Sequence, residues 1–302
     1  MPYAQSNGAR IYYEATGAGV PIVFVHEYAG DHRSWEQQVR HFSRGWRCIT
    51  MSARGYPPSD CPADESLYGQ AFFTADVVAV MDAAGVDRAH VVGLSMGGYA
   101  GLMVTVEYAH RVISTVAAGA GSGSTVTTEQ RAAFVAECFA TADTMAKADR
   151  LNGAAMGAGP TRIHLQAKDP RAWAEFVAHL GEHPTHAAAN TLRTVQALRP
   201  SLYTLAAKLA AVATPVLLMV GDEDEPCLDV NLWLKRTMPA AELCVLSRSG
   251  HAINLEEPVL FNALVERFLV SVERATWRPR DSRASGGPAL TSLSLGIAAG
   301  KV

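Results

Sequence analysis

No run of lysine or arginine occurs in this chain, whose 26 basic residues face 29 acidic ones. Without a basic patch, neither nucleic acid nor an anionic membrane surface is an implied partner. No apolar stretch reaches the roughly 20 residues that cross a bilayer. The opening, "MPYAQSNGAR", lacks the basic-then-apolar order of a secretory signal, so a cytoplasmic protein is expected. Cysteine is scarce: Cys48, Cys61, Cys138, Cys227 and Cys244 are scattered, odd in number and form no Cys-x-x-Cys pair. Buried thiols are expected in place of disulfides or a metal site. No His/Cys/Asp cluster has ligand spacing, so neither metal nor cofactor is expected. No internal repeat is visible. What remains is a chain of 302 residues, 49% hydrophobic, enough for a large core and a small-molecule site.

Strand and helix patterns alternate. "ARIYYEATG" and "PIVFV" read as strands, the second apolar throughout, as in a parallel sheet covered on both faces. "SWEQQVRHFS" follows as a short helix with Ser34 as its N-cap, and "WRCITMSA" as the next strand. "QAFFTADVVAVMDAAG" has helical spacing and stops at Gly85. "AHVVGLS" and "VISTVAAGAG" are further strands flanking a helix. The rhythm breaks over 122–209, where Ala-rich segments have helical period and no convincing strand. Strands return in "TPVLLMVGDED" and "AELCVLS", before the amphipathic "EPVLFNALVERFLVSVERA". The pattern predicts an α/β fold, a mostly parallel sheet with helices on both faces. Residues 1–121 and 210–275 would form the core, 122–209 a helical cap, and 276–302 a flexible tail in which "ALTSLSLGIAA" could dock.

"VVGLSMGGYAGL" carries the chemistry, with Ser95 between glycines where a strand turns into a helix. Gly-x-Ser-x-Gly suits either a plain tight turn or a nucleophile elbow that exposes the serine hydroxyl. A serine needs a histidine base, itself oriented by a carboxylate. The acidic loop after "LLMVG" offers the carboxylate, and "SRSGHAINLEEP" places His251 between a strand and the last helix.

These segments, in this order, resemble the α/β-hydrolase superfamily over about residues 8–273, its capped serine esterase-like branch in particular. "GLSMGG" resembles the nucleophile elbow, "GDED" the acid turn and "GHAINLEEP" the histidine segment. "VFVHEYAGDHRSWE" resembles the His-Gly loop that builds half of the oxyanion hole, and "SARGYPPSD" an Asp-x-Arg-Gly-x-Gly-x-Ser turn. The resemblance implies Ser95 as nucleophile, His251 as base and Asp224 as acid, with Asp222 the alternative. It implies backbone N–H donors from Tyr28 and Met96 for the oxyanion, the Tyr28 hydroxyl being a further possible substrate contact. His26 would brace the oxyanion loop, and Trp35 and Arg54 would serve packing and loop bracing.

The implied activity is hydrolysis of a small or medium carboxylic ester. Alternatives are amide, lactone or carbon–carbon hydrolysis by the same triad, or a hydrolase-like ligand receptor. Dehalogenation and epoxide opening are disfavoured, because those branches carry aspartate at the elbow. Phe134, Phe139, Trp173, Phe176 and Tyr203 are candidate pocket lining from the cap, or else the cap's own core.

Three positions depart from the family pattern. Ser52 and Pro57 replace Asp and Gly in a structural turn. Glu27 replaces the glycine beside the site. Its carboxylate is expected either to pair with Arg33 or Arg54 and fix the loop, or to meet a hydroxyl or ammonium group of the substrate.

Overall fold

In the computed structural model, which describes residues 2–281, eight strands form one sheet. They are β1 (Tyr3–Ser6), β2 (Ala9–Thr16), β3 (Pro21–Val25), β4 (Arg47–Met51), β5 (Ala89–Leu94), β6 (Val112–Ala118), β7 (Val216–Gly221) and β8 (Ala241–Leu246). The spatial order is β1-β2-β4-β3-β5-β6-β7-β8. β1 and β2 pair antiparallel, as do β2 and β4, and every later pair is parallel. Register brings Val25 beside Gly93, Leu94 beside Ala118, and Gly221 beside Leu246. The carboxyl ends of the central strands therefore open on one edge, where α/β sheets place their sites.

The period of two along each strand explains the continuous apolar runs. Val23, Val25 and Val91 face one way, against Phe73, Val77 and Val80 of α2 (Gln70–Ala83) and Val104 of α3 (Met96–Glu107). Ile22, Phe24 and Val92 face the other, against Phe42 of α1 (Glu36–Phe42) and the final helix. Each buried aliphatic or aromatic side chain contributes about 1.5–3 kcal/mol, so both faces need apolar residues to hold their helices.

Among the described residues no strand falls between β6 and β7. That segment holds α4 (Thr128–Ala146), α5 (Gly153–Gly157), α6 (Ile163–Lys168), α7 (Pro170–Leu180), α8 (Thr185–Thr191) and α9 (Ala206–Ala210). Thr127 and Gln130 form a reciprocal capping box at the start of α4, and Asp169 caps α7 with Pro170 in its first turn. α8 runs on as a π-helical stretch, Leu192–Ala197, a rare form often found at functional sites. The chain then completes the core with α10 (Glu225–Thr237), α11 (Ile253–Glu256) and α12 (Pro258–Glu273).

Several elements differ from the sequence reading. β1 escaped it because "YAQS" is short and polar at a sheet edge. α10 escaped it because Asp, Asn, Lys and Arg interrupt its apolar face. Ser34 does not cap α1. Asp31 caps a 3-10 turn, His32–Trp35, that precedes the helix, because its carboxylate accepts the Arg33 N–H at 2.8 Å. The tail begins in contact with the core: Trp277 packs against it and the Arg280 amide donates to the Pro239 carbonyl at 3.2 Å. The remainder of the tail, with "ALTSLSLGIAA", lies outside the described residues. No helix among the described residues is long and apolar enough to cross a membrane.

Candidate active site

Ser95 stands where β5 passes into α3, with φ 55° and ψ −110°, a conformation that few non-glycine residues adopt. The surrounding glycines make it attainable. A Cβ on Gly93 would overlap the Gly97 carbonyl, and one on Gly97 would overlap the Val25 carbonyl. The turn is thus closed so tightly that side chains on either flank are excluded. The Ser95 amide is anchored on the Ala118 carbonyl at 2.7 Å, while Ser95 itself lines a cavity of about 170 Å³.

His251 and Asp224 reach the same cavity from the ends of β8 and β7. The Asp224 Oδ2 atom lies 2.7 Å from His251 Nδ1, and both residues are buried. With a carboxylate as partner, Nδ1 carries the proton and Nε2 is left as an acceptor. The histidine backbone is held from two sides. Glu256 accepts the Gly250 and Ala252 N–H groups at 2.8 and 3.1 Å, and the His251 amide donates to the Thr161 carbonyl at 2.7 Å. Asp222, the alternative acid, instead accepts the Ser249 amide at 3.1 Å and supports the histidine loop. Asp224 is the carboxylate that meets the ring.

Asp224, Cys227 and His251 also offer ligand atoms within 4.8 Å of one another, a grouping no sequence spacing announces. Burial and the neighbouring Asp224 hold the Cys227 thiol well above its ordinary pKa, and Sγ donates to the Gly119 carbonyl at 3.2 Å. It is a protonated donor there, and metals prefer the thiolate.

The loop after β3 forms the opposite wall. His26 Nε2 accepts the Ala53 amide at 2.9 Å, so Nδ1 carries the proton and donates to the Glu27 carbonyl at 2.6 Å. Burial pushes the His26 pKa down to about 4, which keeps this brace neutral. The Tyr28 and Met96 amides make no hydrogen bond within the described residues, and Met96 heads a helix whose dipole favours negative charge. These are the donors an oxyanion could use. The Tyr28 hydroxyl is engaged elsewhere, donating to the Ala188 carbonyl at 2.9 Å in the cap.

A model of the α/β-hydrolase fold family matches residues 20–258. The chain belongs to that family. The solved structure of Est816, described as an N-acyl homoserine lactone degrading enzyme, is 30% identical with a TM-score of 0.70, covering 88% of this chain and all of that one. A 2-hydroxy-6-oxo-6-phenylhexa-2,4-dienoate hydrolase of Burkholderia cepacia is 26% identical over 272 residues, 87% of this chain and 92% of its own. MenH from S. aureus shares the fold at 18% identity and a TM-score of 0.79, over 86% of this chain and 98% of its own.

The hydrolase departs from the sequence reading most at Glu27. Its partner is neither Arg33 nor Arg54. Arg33 is taken by Asp31 and Glu182, and Arg54 by Asp76. Glu27 Oε2 instead meets Nη2 of Arg162, a cap residue that lines the cavity and that sequence reasoning missed. Nothing in "GAGPTRIHLQ" marks this arginine. The only signal was the buried charge at Glu27, which needed a cation that local spacing could not locate. Burial works to raise the Glu27 pKa, but Arg162 and His251 outweigh it and hold the carboxyl below its ordinary value.

Of the aromatic residues offered as lining, only Phe134 borders the cavity. Phe139 does not. Trp173 and Phe176 pack with Leu165 and Leu180 in an apolar cluster that also takes in Ala29 and Leu255 of the core, because α7 turns that stripe inward. Phe176 also borders a separate cleft of about 230 Å³ that shares no lining residue with the Ser95 cavity. Tyr203 packs against Trp233 of α10, ring centroids 4.6 Å apart and planes tilted by 52°. The further lining comes from Ser122, Cys138, Pro226, and Leu192 and Gln196 of the π-helical stretch.

Asp31 ties this wall to the cap. It binds Arg33 at 2.6 Å and lies 3.5 Å from His183 Nε2. Burial favours the neutral acid, but hydrogen bonds from His183 and Arg33 hold the Asp31 pKa well below the carboxylate range. A lowered folded pKa supplies stability above the unfolded value of about 4, which is lost as pH falls below it. Asp31→Asn is expected to cost about 2–3 kcal/mol at pH 7, less than a wholly buried pair because Arg33 is 33% exposed. Thermal melts from pH 7 to pH 3 check this, and the gap between variant and parent should narrow on acidification.

Proposed function

We propose that this hydrolase cleaves a small carboxylic ester through an acyl-enzyme on Ser95. The observation that carries the reading is the 2.7 Å contact of Asp224 with His251 Nδ1 at the cavity that Ser95 lines. His251 Nε2 takes the Ser95 proton as Oγ attacks the carbonyl, and the Tyr28 and Met96 amides hold the oxyanion. Asp224 keeps the ring in its working tautomer and stabilises the imidazolium. The alcohol leaves with the proton from His251, and water then releases the acid. The helical segment 122–209 is the roof, and a cavity near 170 Å³ favours short acyl groups.

Hydrolysis of a lactone is the second reading, favoured by the 30% identity to Est816 across 88% of the chain. A lactone is a cyclic ester, so the same steps apply and the leaving alcohol stays tethered.

A fluorophosphonate probe and a substrate panel test the proposal together. Ser95 is expected to be labelled in the parent protein, and Ser95→Ala to lose both labelling and turnover while keeping its fold. Short aryl esters, lactones, anilides and vinylogous diketones separate the bond classes. Turnover of Ser95→Ala within tenfold of the parent would reject the serine mechanism. Labelling with no turnover of any substrate would favour a ligand receptor.

A further inference from the structure

Glu27 is not among the residues that line the Ser95 cavity, yet its carboxylate lies close to His251, which a loop-fixing role does not require. Its Oε2 atom lies 4.0 Å from His251 Nε2, the nitrogen that must handle the proton. Nε2 is an acceptor while Nδ1 binds Asp224, so once Ser95 is acylated and no longer offers its hydroxyl, two acceptors confront each other in a buried site. Such a pair is unfavourable unless a donor stands between them. The other carboxylate oxygen, Oε1, is buried and has no hydrogen-bond partner among the described residues. Arg162 fixes the carboxylate from the cap side and offsets its charge, which limits repulsion of the oxyanion formed beside Tyr28.

A hydroxyl group has one proton and satisfies only one of two facing acceptors. Water has two. A single water with ordinary hydrogen bonds of about 2.8 Å spans acceptors at this separation, giving one proton to Nε2 and the other to Glu27. We infer that Glu27 is a further catalytic residue, which orients the water that hydrolyses the acyl-enzyme. The inference rests on the serine reading above.

In this step the water oxygen bonds to the acyl carbon as its first proton passes to His251 Nε2. Its second proton remains on that oxygen, hydrogen-bonded to Glu27, and leaves with the product acid. The tetrahedral intermediate collapses by breaking the acyl carbon–Oγ bond, and Ser95 Oγ recovers the proton from His251. Acylation needs no such water, since the Ser95 hydroxyl then occupies Nε2. The role is confined to the second half of the reaction.

Rapid-mixing kinetics of the full chain with 4-nitrophenyl acetate separates the halves, the burst reporting acylation and the steady state deacylation. For Glu27→Gln the burst rate is expected to stay within about threefold, while deacylation falls by about 10²-fold and acetylated Ser95 accumulates in intact-mass spectra. Hydroxylamine, a nucleophile that needs less help from a base, should restore much of the turnover. Equal slowing of both phases would show that Glu27 only shapes the oxyanion loop and would overturn the inference. Unchanged kinetics on acetate with weaker KM for cationic esters would overturn it in favour of substrate recognition. Fluorophosphonate labelling reports whether each variant is folded. If Glu27→Gln fails to label, Glu27→Asp, which retains the charge but withdraws it by one methylene, makes the same comparison. Its deacylation should fall about tenfold with the burst retained, and a parental deacylation rate would reject the role. A parent protein that neither labels nor shows a burst would reject the serine reading itself. A labelled parent with no selective loss rejects only the part given to Glu27.

Discussion

Replacing Asp224 with asparagine is expected to lower kcat by about 10⁴-fold with little change in fold or KM. The size follows from a tautomer. Asp224 accepts a hydrogen bond from His251 Nδ1–H at 2.7 Å, which keeps the ring proton on Nδ1 and leaves Nε2 free to accept. An asparagine amide would donate to Nδ1, drive the ring proton to Nε2, and so occupy the position that must receive the Ser95 proton. The side chain keeps its volume, so the buried setting at 1% exposure should survive. Asp222→Asn is the control, because among the described residues the Asp222 side chain accepts from the Ser249 amide alone, at 3.1 Å, and does not meet the ring. Its loss should stay within about tenfold, the scale of a displaced loop and well short of a missing acid–base partner. Steady-state kinetics of both variants on one ester decides the matter. Similar losses in the two would mean that the carboxylates share the role.

The reason Asp224 could be preferred to Asp222 from sequence alone was the match to a known turn, since five acids crowd 222–229. What the sequence carried well was everything set by local period and by backbone sterics. Val23, Val25 and Val91 alternate with Ile22, Phe24 and Val92, so the doubly covered sheet could be read directly from the runs. Gly93 and Gly97 flank Ser95 because only hydrogen fits against the facing carbonyls, and that constraint is local in sequence. The cap was legible only as helices. Which of its faces meets the cavity depends on how α4 to α9 dock, and "AFVAECFATAD" reads the same whether Phe134 or Phe139 points inward. Arg162 lies 135 residues from Glu27, beyond any periodic signal. A buried charge states that a partner exists, but only the fold locates it.

The Glu27–Arg162 pair gives the second large effect. Arg162→Met should remove about 3–5 kcal/mol of stability at pH 8, because it leaves a buried carboxylate with no cation. The pH dependence separates this from lost packing. In the parent, Arg162 and His251 outweigh burial and hold the Glu27 pKa low, so its stabilising contribution is present above the unfolded value of about 4.3 and is lost as pH falls through the lowered folded value. Without Arg162 the burial effect is unopposed by the guanidinium, and the folded pKa should move up. A raised pKa has the opposite sign: the variant is least penalised below about pH 4.3 and loses stability as pH climbs through the folded value. The melting gap between parent and Arg162→Met is therefore expected to be widest near pH 8 and to shrink steadily towards pH 5. Adding Glu27→Gln to the variant removes the charge itself, and the double variant should recover most of the lost stability at pH 8 with a flat gap across the range. Thermal denaturation of the four proteins at pH 5 and pH 8 measures the cycle. A gap independent of pH, left in place by the second substitution, would mean that Arg162 contributes through its methylene packing and that Glu27 needs no partner.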